Sequence, residues 1–121
     1  MTITNKTYKT DILIDLDGVL NNYKGIYNEN EMPSIKTGAK KFLQRLYSLN
    51  KYNLILFTTR NFLKTAKWLI DNDLYIFFKD ITNVKTPASI FIDDRAINFN
   101  GDYEKIYNEI LNFSPHWKKR K

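Results

Sequence analysis

The chain has no cysteine among its 121 residues, so it can build neither a disulfide nor a thiolate metal site. With a single histidine, His116, any bound metal must be held by oxygen donors or by that one imidazole. No apolar run approaches the length of a membrane span, and Met1-Thr2-Ile3-Thr4-Asn5-Lys6 lacks the apolar core of an export signal. A soluble, cytoplasmic protein without a membrane partner is therefore expected. On the same ground Asn5-Lys6-Thr7, which matches a glycosylation sequon, is read as coincidence.

What is present fits a globular chain. A hydrophobic fraction of 43% and an aromatic fraction of 15% can fill one sizeable core, so a single domain over residues 1–121 is expected. The formal net charge is +6, but Lys118-Lys119-Arg120-Lys121 carry most of it. The basic character is that of a C-terminal tail, either a solvated end or a patch attracted to a polyanion.

The stretch Asp11-Ile12-Leu13-Ile14-Asp15-Leu16-Asp17-Gly18 organises the rest. Its nearly continuous apolar run suits a strand from about Thr10 to Leu16 covered on both faces, as in the middle of a parallel sheet. Asp15 and Asp17, two residues apart, project to the same side. Two carboxylates held there repel each other unless a cation sits between them or one keeps a proton. Gly18 allows a sharp backbone turn over the site. A lone D-x-D fits an acidic strand end meeting solvent equally well, and the downstream residues decide against that.

Residues 20–33, rich in Asn and broken by Gly25 and Pro33, read as a flap over the strand end. From Thr37, the residues Ala39, Phe42, Leu43, Leu46 and Tyr47 recur at helical spacing with one buried face, closed by Asn50-Lys51. A second strand, Tyr52 to Phe57, ends in Thr58-Thr59-Arg60. A helix follows with Asn61 as N-cap, Phe62, Ala66, Leu69 and Ile70 inward and Trp68 in packing. Leu74 to Phe78 reads as a third strand and Lys79 to Ala88 as a loop. Ser89 to Ile92 reads as a fourth strand ending in Asp93-Asp94-Arg95. Ala96 to Phe99 suggests a short fifth strand, and Tyr103, Ile106, Tyr107, Ile110 and Leu111 a last helix that stops before Pro115.

Strands alternating with crossovers of helical length predict an α/β fold, a mostly parallel sheet with helices on both faces. Sites in such sheets lie beyond the carboxyl ends of the strands. Asp15 and Asp17, Thr58 to Arg60, Asp93 and Asp94 all fall there, with Lys85 in the loop before the fourth strand. Four carboxylates at two neighbouring strand ends form a hard oxygen site of the type that prefers Mg²⁺ and leaves room for a phosphate oxygen. An aspartate can attack phosphorus, and a second can protonate the leaving oxygen and then activate water.

These residues resemble the haloacid dehalogenase-like (HAD) hydrolases, over about Lys9 to Phe113. The family's D-x-D-G-V/T motif stands as Asp15-Leu16-Asp17-Gly18-Val19. Its strand ending in Thr or Ser stands as Leu54 to Phe57 with Thr58, its lysine as Lys85, and its acidic pair as Asp93-Asp94. The segment from Lys85 to Gly101 is similar to a small capless branch found in bacteria and phages. The resemblance implies a three-layer Rossmann-like fold, capless with a short flap, and a Mg²⁺-dependent phosphatase. It implies Asp15 as nucleophile and metal ligand, and Asp17 as general acid/base that also binds the metal through its backbone carbonyl. It further implies Thr58 and Lys85 on the phosphoryl group, and Asp93 with Asp94 completing the metal site. Gly18, Thr59 and Arg60 are the expected substrate contacts. Thr59 competes with Thr58, Lys79 is the alternative to Lys85 because Thr86 separates Lys85 from Pro87, and either Asp93 or Asp94 can be the direct ligand.

Arg60 and Arg95 either meet substrate anions or pair with neighbouring carboxylates. Tyr23 and Tyr27 either stack on a flat substrate or close the flap onto the core. His116, beside Trp117, reads as structural or solvated. Without a cap, the open site takes a bulky substrate or borrows cover from a second subunit of a homo-oligomer. Three functions fit: a phosphatase on a small phosphorylated metabolite or nucleotide, a phosphatase on nucleic-acid ends, and a non-catalytic module that binds nucleic acid or protein. The paired Asp15 and Asp17 favour the first two, since a module that only binds has no need of both.

Overall fold

The computed structural model describes residues 8–118. The sequon Asn5-Lys6-Thr7 and the tail residues 119–121 lie outside the described residues. The order of elements is β1 (Thr10–Asp15), α1 (Ala39–Ser48), β2 (Tyr52–Phe57), α2 (Phe62–Asp71), a 3₁₀ turn (Tyr75–Phe77), β3 (Phe78–Thr82), β4 (Ile90–Ile92) and α3 (Tyr103–Asn112). The four strands form one sheet in the order β3-β2-β1-β4, and every pair is parallel. This is a Rossmann-like α/β fold, with β1 in the interior of the sheet as its apolar run requires.

Alternation along the strands assigns the two faces. Ile12 and Ile14 of β1 join Leu54 and Leu56 of β2 in the main core, together with Leu43 of α1 and Trp68 and Leu69 of α2. The helix–strand connections β1-α1-β2 and β2-α2-β3 run the same way along the sheet, which brings both helices to one face. Leu13 and Ile55 point to the other face and are also buried. That face is less thickly covered. The connection from β3 back to β4 holds no helix, and no residue of α3 is buried.

Local chemistry explains the element boundaries. Gly38 precedes α1 at φ 92°, a left-handed conformation that costs glycine little. Asn61 caps α2, its side-chain oxygen accepting from the Lys64 N–H. Asp102 caps α3 in the same way through Lys105 N–H.

Several expectations are corrected. The third strand is not Leu74 to Phe78: Leu74 is fully buried before a 3₁₀ turn, and the strand is Phe78–Thr82, which keeps only Phe78 of the expected run and otherwise lies in the stretch read as a loop. β3 is an edge strand, and Lys79 and Asp80 give it the exposed charges that edges carry in place of an apolar pattern. Residues 96–99 form no strand. On α2 the inward stripe is Thr65, Trp68 and Leu69, which leaves Phe62 and Ile70 exposed. Trp68 packs in the core and donates its indole N–H to the Pro33 carbonyl at 3.1 Å, tying helix to flap. On α1, Phe42 and Tyr47 are exposed, and Ala39 and Leu43 carry the burial.

Candidate active site

Parallel pairing sets the strand ends side by side. Asp15 is opposite Phe57, so Thr58 leaves β2 next to it, and Ile14 is opposite Ile92, so Asp93 follows on the other flank. The result is a cluster in which one carboxylate oxygen from each of Asp15, Asp93 and Asp94 lies within 4.8 Å of the others. The Asp94 side chain is 1% exposed, whereas Asp93 lies at the surface. Among the described residues, Asp15 Oδ2 and Asp94 Oδ1 are buried without a hydrogen-bond partner. Arg95 Nε approaches Asp94 Oδ1 only to 3.6 Å.

Three carboxylates so close are costly when all are ionised. Burial first, and then the charges of Asp93 and Asp94, the close approach of the Asp94 carboxyl and the charge of Asp17, push the Asp15 carboxyl up to about 8. A divalent cation relieves the same repulsion without protonation. The donor set is all oxygen, the preference of a hard ion such as Mg²⁺, and the two buried oxygens would offer it ligands that no other group among the described residues satisfies.

Asp17 stands apart from the cluster. Arg60 Nε lies 3.0 and 2.9 Å from its two oxygens, and the Asn21 amide donates to Oδ1 at 2.9 Å. The Asp17 carboxylate is therefore not among the clustered metal-binding oxygens; only its backbone carbonyl is left for the metal role expected of it. Arg60 is buried and paired rather than open to a substrate anion. Its planar group also stacks on the Tyr27 ring, 4.7 Å from the centroid, and donates to the Asn28 carbonyl. Asn21, 1% exposed, was not anticipated: its Oδ1 accepts from the N–H groups of Gly18 and Tyr23 while its amide holds Asp17. An asparagine in an Asn-rich flap carries no signal that separates it from its neighbours.

Gly18, at φ 84°, is buried, and a Cβ there would collide with the Asp94 carboxylate and crowd the Trp117 indole. Its expected role as a substrate contact gives way to close approach between backbone and site. Thr58 is 5% exposed, takes a β-sheet bond to Thr82 through its N–H, and accepts from Arg60 N–H through Oγ1. Thr59 is exposed, and both threonines line a depression with Arg60 and Thr82. Lys85 lines an open cavity of about 720 Å³ with Asp15, Asp93, Leu13 and Phe57, and its ammonium lies 4.8 Å from the centre of the Phe91 ring. Lys79, the alternative, sits early in the edge strand, away from the strand ends.

The flap is closed at its base by an isolated bridge between Asn21 and Ile35. Its tyrosines are occupied: Tyr27 by Arg60, and Tyr23 by Trp117, edge-on at 5.6 Å. They close the flap rather than await a flat ligand. His116, read as structural or solvated, reaches the site, with Nε2 2.7 Å from the Gly18 carbonyl oxygen.

No protein-family model matches the chain. No curated protein matches it either. A solved structure, that of a conserved protein coded by a locus of Bacteroides thetaiotaomicron, is similar with a TM-score of 0.57 and 21% identity, over 86% of this chain and 91% of that one. At that identity the likeness is one of fold, and it supports the Rossmann-like α/β architecture. Among the described residues no helix is long and apolar enough to cross a membrane.

Proposed function

We propose that the chain is a Mg²⁺-dependent phosphohydrolase of the haloacid dehalogenase type, acting on a small phosphorylated metabolite or nucleotide through an aspartyl-phosphate on Asp15. The observation that carries this reading is the Asp15, Asp93 and Asp94 cluster at the carboxyl ends of two adjacent strands, with two buried oxygens unpartnered among the described residues. Fold alone would not, because this architecture hosts many functions.

Asp15, Asp93 and Asp94 would hold the ion, which when bound supplies positive charge against the phosphoryl oxygens. Asp15 attacks phosphorus, forming the acyl phosphate as the bond to the leaving oxygen breaks. Lys85, which lines the same cavity as Asp15, neutralises charge on the equatorial oxygens. Thr58 donates its hydroxyl hydrogen to the phosphoryl group while its oxygen keeps the Arg60 N–H. Asp17 gives a proton to the leaving oxygen and then takes one from the water that clears the intermediate. For that it must exchange a bond to Arg60 or Asn21 for one to substrate. Arg60 is also held by the flap, so opening the flap is the natural way to free Asp17.

The test is a screen of purified protein, with Mg²⁺ and with chelator, against nucleotides, sugar phosphates and 3′- or 5′-phosphorylated oligonucleotides. Chelator-sensitive release of phosphate from small monoesters is the expected result. Preference for oligonucleotides would move the assignment to nucleic-acid ends, and no turnover on any of them would leave the binding module. With Tyr23 and Tyr27 already engaged, stacking on the flap no longer favours the oligonucleotide.

A further inference from the structure

After α3 the chain returns to the site. Lys118 N–H donates to the Pro115 carbonyl at 3.0 Å, so residues 115–118 form a turn. The turn sets His116 against the Gly18 carbonyl at 2.7 Å and directs the Trp117 indole N–H to Asp94 Oδ2. The other oxygen of Asp94 is the one without a hydrogen bond among the described residues. The same indole covers the flap. Tyr23 packs edge-on against it with planes at 76°, and a Cβ on Gly25 would come within 3.0 Å of its ring.

We propose that Trp117 is a positioning residue for the cation site: its N–H holds one oxygen of Asp94 and turns the other toward Asp15 and Asp93, while its ring latches the flap across them. The inference rests on the cation reading of the cluster. An indole suits this task because it is a neutral donor. It fixes the carboxylate without adding positive charge to that of Arg95, whose Nε lies 3.6 Å from Asp94 Oδ1 on an exposed side chain. The ring also excludes water from one side of Asp94, so attraction between carboxylate and ion is less screened. In a chain without a cap, the C-terminal turn supplies cover that residues 20–33 alone do not. Neighbours that orient a metal-binding side chain matter roughly 10- to 100-fold for affinity.

The experiment is calorimetric titration of the full chain with Mn²⁺, comparing wild type with Trp117→Phe, which keeps the ring and removes the N–H. At least about tenfold weaker binding by the variant is expected. Binding within about twofold of wild type would overturn the positioning role. A wild type that binds no Mn²⁺ would instead overturn the cation reading itself, so the two failures are told apart. Circular dichroism checks the fold of the variant. Should it not fold, Trp68→Phe leaves Trp117 as the remaining indole, and terbium bound at the cluster should then emit on indole excitation and lose that emission to excess Mg²⁺. Terbium that binds by calorimetry but is not sensitised would place the indole away from the ion and overturn the proposal.

Discussion

Asp15 and Asp17 leave the same strand two residues apart, yet their surroundings differ in kind. Both oxygens of Asp17 are engaged, by an Arg60 side chain that is 4% exposed and an Asn21 that is 1% exposed, and among the described residues only Arg60 Nη2 of this network is buried without a partner. Around Asp15, carboxylate faces carboxylate, and two buried oxygens have no partner among the described residues. Folding is helped by the first arrangement and opposed by the second. A bound cation or a retained proton relieves the second, which is why the cluster carries the functional reading and the Asp17 network carries the flap.

The largest expected effect sharpens that contrast. Asp15→Asn should lower Mg²⁺-dependent hydrolysis of a phosphomonoester roughly 10⁴-fold or more, the scale of losing a nucleophile. In chelator at pH 8 it should unfold at higher urea than wild type, because a repelled carboxylate is gone. Lower urea resistance would break the comparison. Asp17→Asn should cost about 10²- to 10⁴-fold with poor leaving groups and less with good ones, which need little protonation. Equal loss for both would leave Asp17 a purely structural part. Arg60→Ala strands the Asp17 carboxylate and should lower stability by about 2–3 kcal/mol in denaturant titration, with Arg60→Lys falling between. No change would mean that the pair contributes nothing.

The smallest effect is a slope with pH. The Asp15 carboxyl is raised from 3.8 to about 8, so between those values the unfolded chain has lost this proton and the folded one keeps it. Stability without divalent ions is therefore fully present below about 3.8 and falls as pH rises toward about 8, by an amount that solvent screening of the partly exposed group reduces. Asp15→Asn should flatten this part of the profile, and Mg²⁺ should reverse it. A wild-type profile that rises through the same window would contradict the crowding of carboxylates.

Much of this was legible where one element faces one partner. β2 matches its apolar run residue for residue, and Asp15, Asp93 and Asp94 meet as strand ends in a parallel sheet must. The edge strand escapes a reading by apolar pattern because an edge carries charge instead. Tyr103, Tyr107, Ile110 and Leu111 keep helical spacing but remain exposed, so periodicity located α3 without telling what it packs on. Arg60 with Asp17, and Trp117 with Asp94, are joined across 43 and 23 positions by single side chains, and such pairs leave no local signature.

If Asp15 is the nucleophile, phosphate is carried on Asp15 during turnover. Full-length Asp17→Asn, which keeps the nucleophile but clears the intermediate slowly, should be mixed with Mg²⁺ and a radiolabelled phosphomonoester, quenched in acid and mapped by mass spectrometry. An acyl phosphate on Asp15, absent when Asp15 is also changed to Asn, is the predicted result. Label on another residue, or wild-type turnover with no label trapped in the variant, would contradict it.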